Sequence, residues 1–257
     1  MWPYPRLVAH RGCGTLAPEN TIAALRCVLE HGFRAAEFDV MLSGDGIPVV
    51  LHDPELGRTV KGKGRTSDYS ARQLTAMDAG SWFGKEFSGE RVPDYEQFFR
   101  FCAEHAIWMN VEIKPVPGFE EQTGRVVAQC TKHFLDELRG PGIWHGDVAA
   151  LPLFSSFSVE ALMAAKLAVP EIPRALLLRA IPENWQEMLR QLDAVAIDVS
   201  YRQLRPEQVQ AVKLAGYGLF CYTVNDIALA KKLKTWGVDA IYTDRIDLFG
   251  PDFWELA

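Results

Sequence analysis

Short apolar runs alternate with longer segments of helical period along most of the chain. Runs of the length and composition of buried strands lie at 7–10, 35–39, 108–113, 151–155, 174–178, 194–199, 218–224 and 240–243. Apolar residues with a spacing of three to four predict helices at 21–31, 94–104, 118–138, 159–168, 183–192, 206–214 and 226–236. Strands that regularly alternate with helices are typical of parallel α/β folds, and eight such strands predict a TIM (β/α)8 barrel. We expect residues 1–257 to form a single domain.

One further strand interrupts this alternation early in the chain. Residues 48–52 follow a tight-turn sequence, Ser43-Gly44-Asp45-Gly46, and too few residues precede them for a crossover helix. They should therefore pair antiparallel with the second barrel strand and form a hairpin. A turn centred between Gly44 and Asp45 places Val40 opposite Val49 and Glu37 opposite His52.

The composition changes between residues 54 and 93. Gly, Lys, Arg and Ser dominate this segment, with one short helical piece at 71–79 and an aromatic cluster of Trp82, Phe83 and Phe87. Clustered aromatic side chains usually bury one another. We interpret 54–93 as a small inserted cap that follows the second barrel strand and its hairpin.

Composition and charge narrow the function classes. The formal net charge is −6, so the chain has no basic excess for nucleic acid. No apolar stretch is long enough for a signal peptide, a membrane span or an anchor, which predicts a cytoplasmic protein. The chain has five cysteines without a closely spaced pair, which predicts neither a disulfide framework nor a zinc site and fits a reducing compartment. The oligomeric state cannot be read from these patterns.

Acidic residues lie near the carboxyl ends of the second and third barrel strands. Glu37 and Asp39 alternate with apolar neighbours, so their carboxylates share one face of a strand. Glu112 and Lys114 repeat that spacing on the next barrel strand. Since polar groups at the carboxyl ends of barrel strands meet at one mouth, the three carboxylates should converge. Like charges at such short distances repel unless a cation or a proton lies between them, and carboxylate oxygens suit a hard cation such as Mg²⁺ or Ca²⁺. For Glu37 and Asp39 taken alone, a solvated edge strand is the alternative.

Two histidines and two cations belong to the same predicted mouth. His10 and His52 end strands, and imidazole titrates near neutral pH, so the two side chains suit a general acid and a general base. Arg11 and Lys114 add fixed positive charge for an anionic group. Together with a divalent cation, this set suits cleavage of a P–O bond.

The ordered motifs of this mouth resemble those of the glycerophosphodiester phosphodiesterases, in particular the short bacterial cytosolic members. The motifs are His10-Arg11-Gly12, Pro18-Glu19-Asn20-Thr21, Glu37-Phe38-Asp39, His52-Asp53 and Glu112-Ile113-Lys114. Each motif is short, but the resemblance covers nearly the whole chain, since it includes Thr223-Val224-Asn225 and Gly237-Val238-Asp239-Ala240 near the end. The chain departs from the family pattern at two places: Tyr222 replaces a tryptophan, and Asp94-Tyr95 replaces Thr-Leu.

The resemblance implies a reaction and a role for each residue. One divalent cation, Mg²⁺ or Ca²⁺, would be bound by Glu37, Asp39 and Glu112. His10 and His52 would be the acid and the base, and Arg11 and Lys114 would hold the phosphate. The implied reaction is hydrolysis of glycerophosphodiesters, such as glycerophosphocholine or glycerophosphoethanolamine, to sn-glycerol 3-phosphate and an alcohol.

The sequence is compatible with two other functions, and it leaves the roles of several supporting residues undecided. A lysophospholipase D-like phosphodiesterase of the same barrel group is one alternative, and a non-catalytic barrel that binds glycerol phosphates is the other. Glu19 either orients His10 or Arg11 or serves as an acid in the first turn of a helix. Asp53 is expected to orient His52 or to fix the hairpin, and Asp198 and Asp244 are expected to be structural.

Overall fold

The computed structural model describes residues 2–142 and 148–256, and its centre is a closed barrel of eight parallel strands. The strands are β1 Leu7–Ala9, β2 Ala35–Leu42, β3 Pro48–Val50, β4 Trp108–Ile113, β5 Leu153–Ser156, β6 Arg174–Leu178, β7 Ala196–Ser200, β8 Gly218–Tyr222 and β9 Ala240–Thr243. The barrel closes because β1 pairs in parallel with both β2 and β9. The antiparallel strand β3 pairs with residues 40–42, at the carboxyl end of β2, and Val49 of β3 also forms an isolated bridge with Asp94. The predicted TIM barrel is confirmed.

Helices fill the connections between the barrel strands. They are α1 Ile22–Glu30, α2 Ala71–Leu74, α3 Tyr95–Glu104, α4 Glu120–Arg139, α5 Val159–Ala168, α6 Trp185–Leu192, α7 Pro206–Leu214, α8 Ile227–Trp236 and α9 Phe253–Leu256. Helix α1 begins after Thr21, whose hydroxyl accepts a hydrogen bond from the Ala24 amide. Among the described residues, no helix is long and apolar enough to cross a membrane.

The alternation of side chains along the strands separates two layers of core. Phe38 and Val40 of β2 point outward into the large apolar layer between the strands and the helices. Ala35, at the start of β2, belongs instead to a smaller cluster inside the barrel, which Tyr4 and Phe220 also join. Because that cluster occupies the amino-terminal end of the barrel, the interior positions toward the carboxyl end are left for polar side chains.

The register of the hairpin differs from the prediction by one residue. Val40 pairs with Val50 rather than with Val49, and Leu42 pairs with Pro48. The connection is a five-residue loop, residues 43–47, closed by a hydrogen bond from the Ser43 amide to the Ile47 carbonyl oxygen. The hairpin is therefore centred on Asp45, half a residue later than the predicted centre between Gly44 and Asp45, and this shift changes every pair of facing residues. His52 lies beyond the last paired residue, so it is not opposite Glu37.

A disulfide joins the first loop of the barrel to the first helix. Cys13 follows β1 and Cys27 lies in α1, 14 positions further along the chain, with their Cα atoms 5.9 Å apart. The expectation of no disulfide is wrong at this pair, because packing of α1 against the loop brings together two cysteines whose spacing carries no signal. Cys102, Cys130 and Cys221 are free. The prediction of a reducing compartment therefore loses the support of cysteine spacing.

The segment 54–93 lies against the hairpin. Its buried residues Val60, Leu74 and Val92 pack with Val49 and Leu51 around β3. The predicted aromatic cluster also forms, since Phe83 makes edge-to-face contacts with both of its partners, Trp82 and Phe87. The predicted helix at 71–79 is shorter than expected and is α2. A single domain with this segment as a cap remains our prediction.

Candidate active site

The predicted site residues surround one cavity at the carboxyl end of the barrel. The cavity has a volume of about 280 Å³. Six of the predicted residues line it: His10, Arg11, Glu37, His52, Glu112 and Lys114. The seventh, Asp39, lies just behind them with 1% of its surface exposed and contacts Lys114. The structure thus brings the whole predicted set together.

Three buried carboxylates form the centre of this site. One oxygen from each of Glu37, Asp39 and Glu112 lies within 4.8 Å of the others, and the exposed fractions of the three residues are 4%, 1% and 9%. Glu37 and Glu112 reach this position from β2 and β4, which pair in register with Asp39 opposite Glu112. Within the described part of the chain, Glu37 Oε1 has no hydrogen-bond partner. A buried oxygen without a partner, beside two further carboxylates, is the arrangement that suits a divalent cation.

The pKa shifts of the three carboxyl groups also favour a bound cation. Burial, followed by the negative charges of Asp39 and Glu112, raises the pKa of Glu37 well above its usual range. Burial and the Asp39 charge likewise raise the pKa of Glu112 to about 7. The pKa of Asp39 is lowered, since the charges of Lys114, His52 and Arg11 outweigh the effect of burial. Three anions are therefore costly here without further positive charge.

Unusual backbone conformations in the loop after β1 orient two of the contacts. Arg11 has a φ of 52°, in the left-handed region, and its amide donates to Glu37 Oε2 at 2.9 Å. Asn20 also has a positive φ, 59°, and its side-chain Nδ2 atom donates to Asp39 Oδ2 at 2.8 Å. The Pro18-Glu19-Asn20-Thr21 motif thus holds the buried Asp39 carboxylate as well as preceding α1.

Each histidine is held by an aspartate through its Nδ1 atom. His52 Nδ1 lies 2.6 Å from Asp53 Oδ1, and His10 Nδ1 lies 2.6 Å from Asp244 Oδ1. The pKa of each aspartate is lowered although burial acts to raise it, since hydrogen bonds to both carboxylates more than compensate. Both aspartates are therefore anions near neutral pH, and each Nδ1 must carry the donated proton. This arrangement leaves each Nε2 atom as the available proton acceptor.

Asp244 is the partner that sequence reasoning missed. It was expected to be structural, yet it orients His10, and Asn225 Nδ2 donates to its other oxygen at 2.8 Å. The available signal was its place directly after β9, the strand that neighbours β1 when the barrel closes. The expectation that Asp53 orients His52 is met by the contact between their side chains.

Two cationic side chains face the carboxylates. Lys114 Nζ lies 3.0 Å from Asp39 Oδ1 and 3.3 Å from Glu112 Oε1. Burial lowers the pKa of Lys114, but the two negative charges raise it further, so the side chain stays protonated. Arg11 Nη1 donates to Glu19 Oε1 at 3.0 Å, which decides the open role of Glu19 in favour of Arg11.

The remaining wall of the cavity is partly aromatic and includes one more buried acid. Phe157 and Tyr222 line it with their rings in edge-to-face contact, so Tyr222, the departure from the family pattern, lies in the site. Asp198 also lines the cavity and is fully buried, with a hydrogen bond of 3.0 Å from the Tyr242 hydroxyl. Burial raises the pKa of Asp198 to about 8, so this carboxyl is mainly protonated at neutral pH.

Comparisons with known proteins agree with this geometry. The model of the glycerophosphoryl diester phosphodiesterase family matches residues 10–248. A glycerophosphodiester phosphodiesterase of Caldanaerobacter subterraneus is 32% identical over 243 residues, which are 93% of each chain.

Solved structures give the same result for the three-dimensional arrangement. An Oleispira antarctica phosphodiesterase, solved in complex with the product sn-glycerol-3-phosphate, is 37% identical, with a TM-score of 0.85 over 98% of this chain and 96% of that one. A glycerophosphodiester phosphodiesterase of Agrobacterium tumefaciens is 28% identical, with a TM-score of 0.76 over 98% and 99% of the two chains. The protein is therefore an enzyme of the glycerophosphoryl diester phosphodiesterase family.

Proposed function

We propose that this enzyme hydrolyses glycerophosphodiesters, such as glycerophosphocholine and glycerophosphoethanolamine, to sn-glycerol 3-phosphate and an alcohol. The observation that carries the proposal is the convergence of three carboxylates, two aspartate-bound histidines and two cations on one cavity. The product bound to the Oleispira antarctica relative supports glycerol 3-phosphate as the product here as well.

The carboxylate cluster is the proposed site of a divalent cation. Glu37, Asp39 and Glu112 offer only oxygen ligands, which suit Mg²⁺ or Ca²⁺ rather than a softer metal. The unpartnered oxygen of Glu37 and the raised pKa values of Glu37 and Glu112 fit such an ion. A cation bound there would stabilise negative charge on the phosphate oxygens.

The cationic side chains are proposed to bind the phosphate. Lys114 is 21% exposed at its side chain and Arg11 is 22% exposed, so both can reach an anion in the cavity while keeping their carboxylate partners. Arg11 Nε lies 3.9 Å from Asp39 Oδ2 and has no hydrogen-bond partner among the described residues, and we expect a bound phosphate oxygen to accept from it.

The two histidines are proposed to move the protons. Because each Nδ1 is engaged with an aspartate, we expect each Nε2 to be the ring atom that exchanges a proton with the substrate. One Nε2 would remove the proton of the attacking hydroxyl, from water or from the glycerol moiety. The other, protonated, would give its proton to the leaving alkoxide. Burial lowers the pKa of His52, which favours its neutral form near pH 7.

A coupled assay of glycerol 3-phosphate release tests the proposal. Wild type, His52→Ala and a matched control, His133→Ala on the exposed face of α4, are assayed on both substrates with chelator, Mg²⁺ or Ca²⁺. We expect release that requires a cation, falls by about 10²-fold or more in His52→Ala and is unchanged in the control. Activity that survives in His52→Ala would contradict the acid–base role.

Two further measurements, beside the glycerol 3-phosphate assay, separate the alternative functions. Release of choline from lysophosphatidylcholine in detergent, without release of glycerol 3-phosphate from glycerophosphocholine, would favour the lysophospholipase D-like activity. No turnover of either substrate with any cation, combined with measurable binding of glycerol 3-phosphate, would favour a binding protein. Either result would overturn the proposed function.

A further inference from the structure

One arginine of the cap reaches across to the barrel and binds two carboxylates at once. Arg58 Nε donates to Asp53 Oδ2 at 2.6 Å. The two Nη atoms of Arg58 donate to the two oxygens of Glu19, each at 2.7 Å. The guanidinium fork therefore joins the hairpin end of the cap to the loop that precedes α1.

Each of these carboxylates holds a residue of the proposed site. Asp53 contacts Nδ1 of His52 at 2.6 Å through its other oxygen. Glu19 accepts a hydrogen bond of 3.0 Å from Arg11 through Oε1. Two chains of contacts thus start at Arg58, one ending at a proposed acid–base group and the other at a proposed phosphate ligand.

The charges at Arg58 fit a positioning role. Burial raises the pKa of Glu19, but the hydrogen bonds from Arg58 and the positive charges of Arg11 and Arg58 lower it further, so Glu19 is an anion. The side chains of Glu19 and Asp53 are 11% and 23% exposed, so water only partly replaces a lost partner. Asn225 holds Asp244, the partner of His10, in a comparable way, through a hydrogen bond from its Nδ2 atom.

We propose that Arg58 is a positioning residue, through which the cap holds the His52 ring and the Arg11 guanidinium in their working orientations. The inference rests on the proposed function. Arg58 itself does not line the cavity that contains the predicted site residues. Its effect should therefore pass entirely through Asp53 and Glu19, which makes it separable by mutation.

Kinetics of single variants test the two chains of contacts. We expect Asp53→Asn to lower kcat, Glu19→Gln to raise KM, and Arg58→Gln to change both, each by about 10- to 100-fold. Arg58→Lys keeps the charge but cannot bind both carboxylates with a planar fork, so it should recover only part of the loss. The control is Lys61→Gln, which removes an exposed charge of the same segment and should change neither constant. Arg58→Gln kinetics within about twofold of wild type would overturn the inference.

A double-mutant cycle tests whether Arg58 acts through its two partners. In the Glu19→Gln/Asp53→Asn background, the further change Arg58→Gln should alter kcat and KM by less than about twofold. A full additional loss in that background would mean that Arg58 touches the substrate or acts elsewhere, and would contradict the proposal. Thermal unfolding of every variant shows whether a lost activity comes from a lost fold, in which case Arg58→Lys carries the kinetic test.

A measurement without turnover separates this inference from the proposed function. The Nδ1 proton of His52, identified by its absence in His52→Gln, is followed by NMR. It should be sharp in wild type and in Lys61→Gln and broadened in Arg58→Gln. If wild type releases no glycerol 3-phosphate but this pattern holds, the proposed function fails while the positioning role stands; an unchanged signal in Arg58→Gln overturns the positioning role.

Discussion

At the scale of single residues, the candidate site contains carboxyl groups whose ionised form is destabilised by burial. Glu37 and Glu112 are buried beside Asp39, and the pKa values of the two glutamates are raised for that reason. Asp198, deeper in the same cavity, has a raised pKa without being part of the cluster. Neutral replacements of these acids should therefore stabilise the protein while they change its chemistry in different ways.

Glu112→Gln is expected to separate stability from function. With chelator at pH 8, the variant should unfold at a higher temperature than wild type, because a buried negative charge is gone. Mg²⁺ or Ca²⁺ should raise the unfolding temperature of wild type by selective binding to the folded state, and leave the variant unchanged. Activity should fall by about 100-fold or more. An equal cation-induced shift in both proteins would exclude Glu112 as a ligand.

Asp198→Asn is expected to change how stability depends on pH. The unfolded chain loses this proton near the ordinary pKa of 3.8, whereas burial holds it in the folded protein up to about pH 8. Stability in wild type therefore falls as pH rises through this window. The variant should gain about 1.4 kcal/mol of unfolding free energy relative to wild type for each pH unit between about pH 5 and pH 7.

Urea unfolding at several pH values measures this effect. Asp252→Asn, a change at an exposed position, is the matched control and should run parallel to wild type. A difference between Asp198→Asn and wild type that stays constant with pH would show that Asp198 is ionised in the folded protein.

At the scale of elements, the loop between β1 and α1 carries much of the site. It supplies Arg11, Glu19 and Asn20, each of which contacts a carboxylate or a guanidinium of the cavity. The disulfide between Cys13 and Cys27 ties this loop to α1. The loop is thus constrained at both ends by covalent and polar contacts.

Reduction of this disulfide should destabilise the folded protein. A cross-link that closes a loop of 14 positions limits the freedom of the unfolded chain, which stabilises the protein by about 3 kcal/mol. We expect the urea midpoint of wild type to fall when a reductant is added. The Cys13→Ser/Cys27→Ser variant should unfold at the lower urea midpoint with or without reductant. A wild-type midpoint that is the same in the presence and absence of reductant would contradict the prediction.

At the scale of the whole molecule, the closed barrel and the cap share apolar contacts. Val60, Leu74 and Val92 of the cap pack against the hairpin residues Val49 and Leu51. The hairpin in turn is paired with β2 of the barrel. Loss of the cap structure would therefore expose part of the hairpin core.

We expect the chain to unfold as one cooperative unit. Far-ultraviolet circular dichroism, which reports the whole chain, and hydrogen exchange of cap amides within 54–93 should give the same midpoint in urea. An earlier transition confined to the cap amides would mean that the cap is an independent unit, against the single domain predicted from the sequence.

Local patterns were sufficient for the order of elements and for the acids of the site. The strands and helices of the barrel follow from apolar spacing, and the shared face of Glu37 and Asp39 follows from alternation along β2. The hairpin register was not predictable in the same way, because loop closure by the Ser43 amide adds a residue that the turn sequence does not reveal. The disulfide was missed because Cys13 and Cys27 meet only when α1 packs.

The sequence by itself determined the barrel and the family, and it predicted the seven residues that meet at one cavity, since these depend on periodicity and on short motifs read in order. Only the tertiary structure decided which side chains hold the site residues in place. Asp244 reaches His10 because β9 closes onto β1, and Arg58 reaches Glu19 because the cap folds back over the loop before α1. Contacts between residues 234 and 39 positions apart depend on the packing of whole elements, and no local pattern along the chain encodes them.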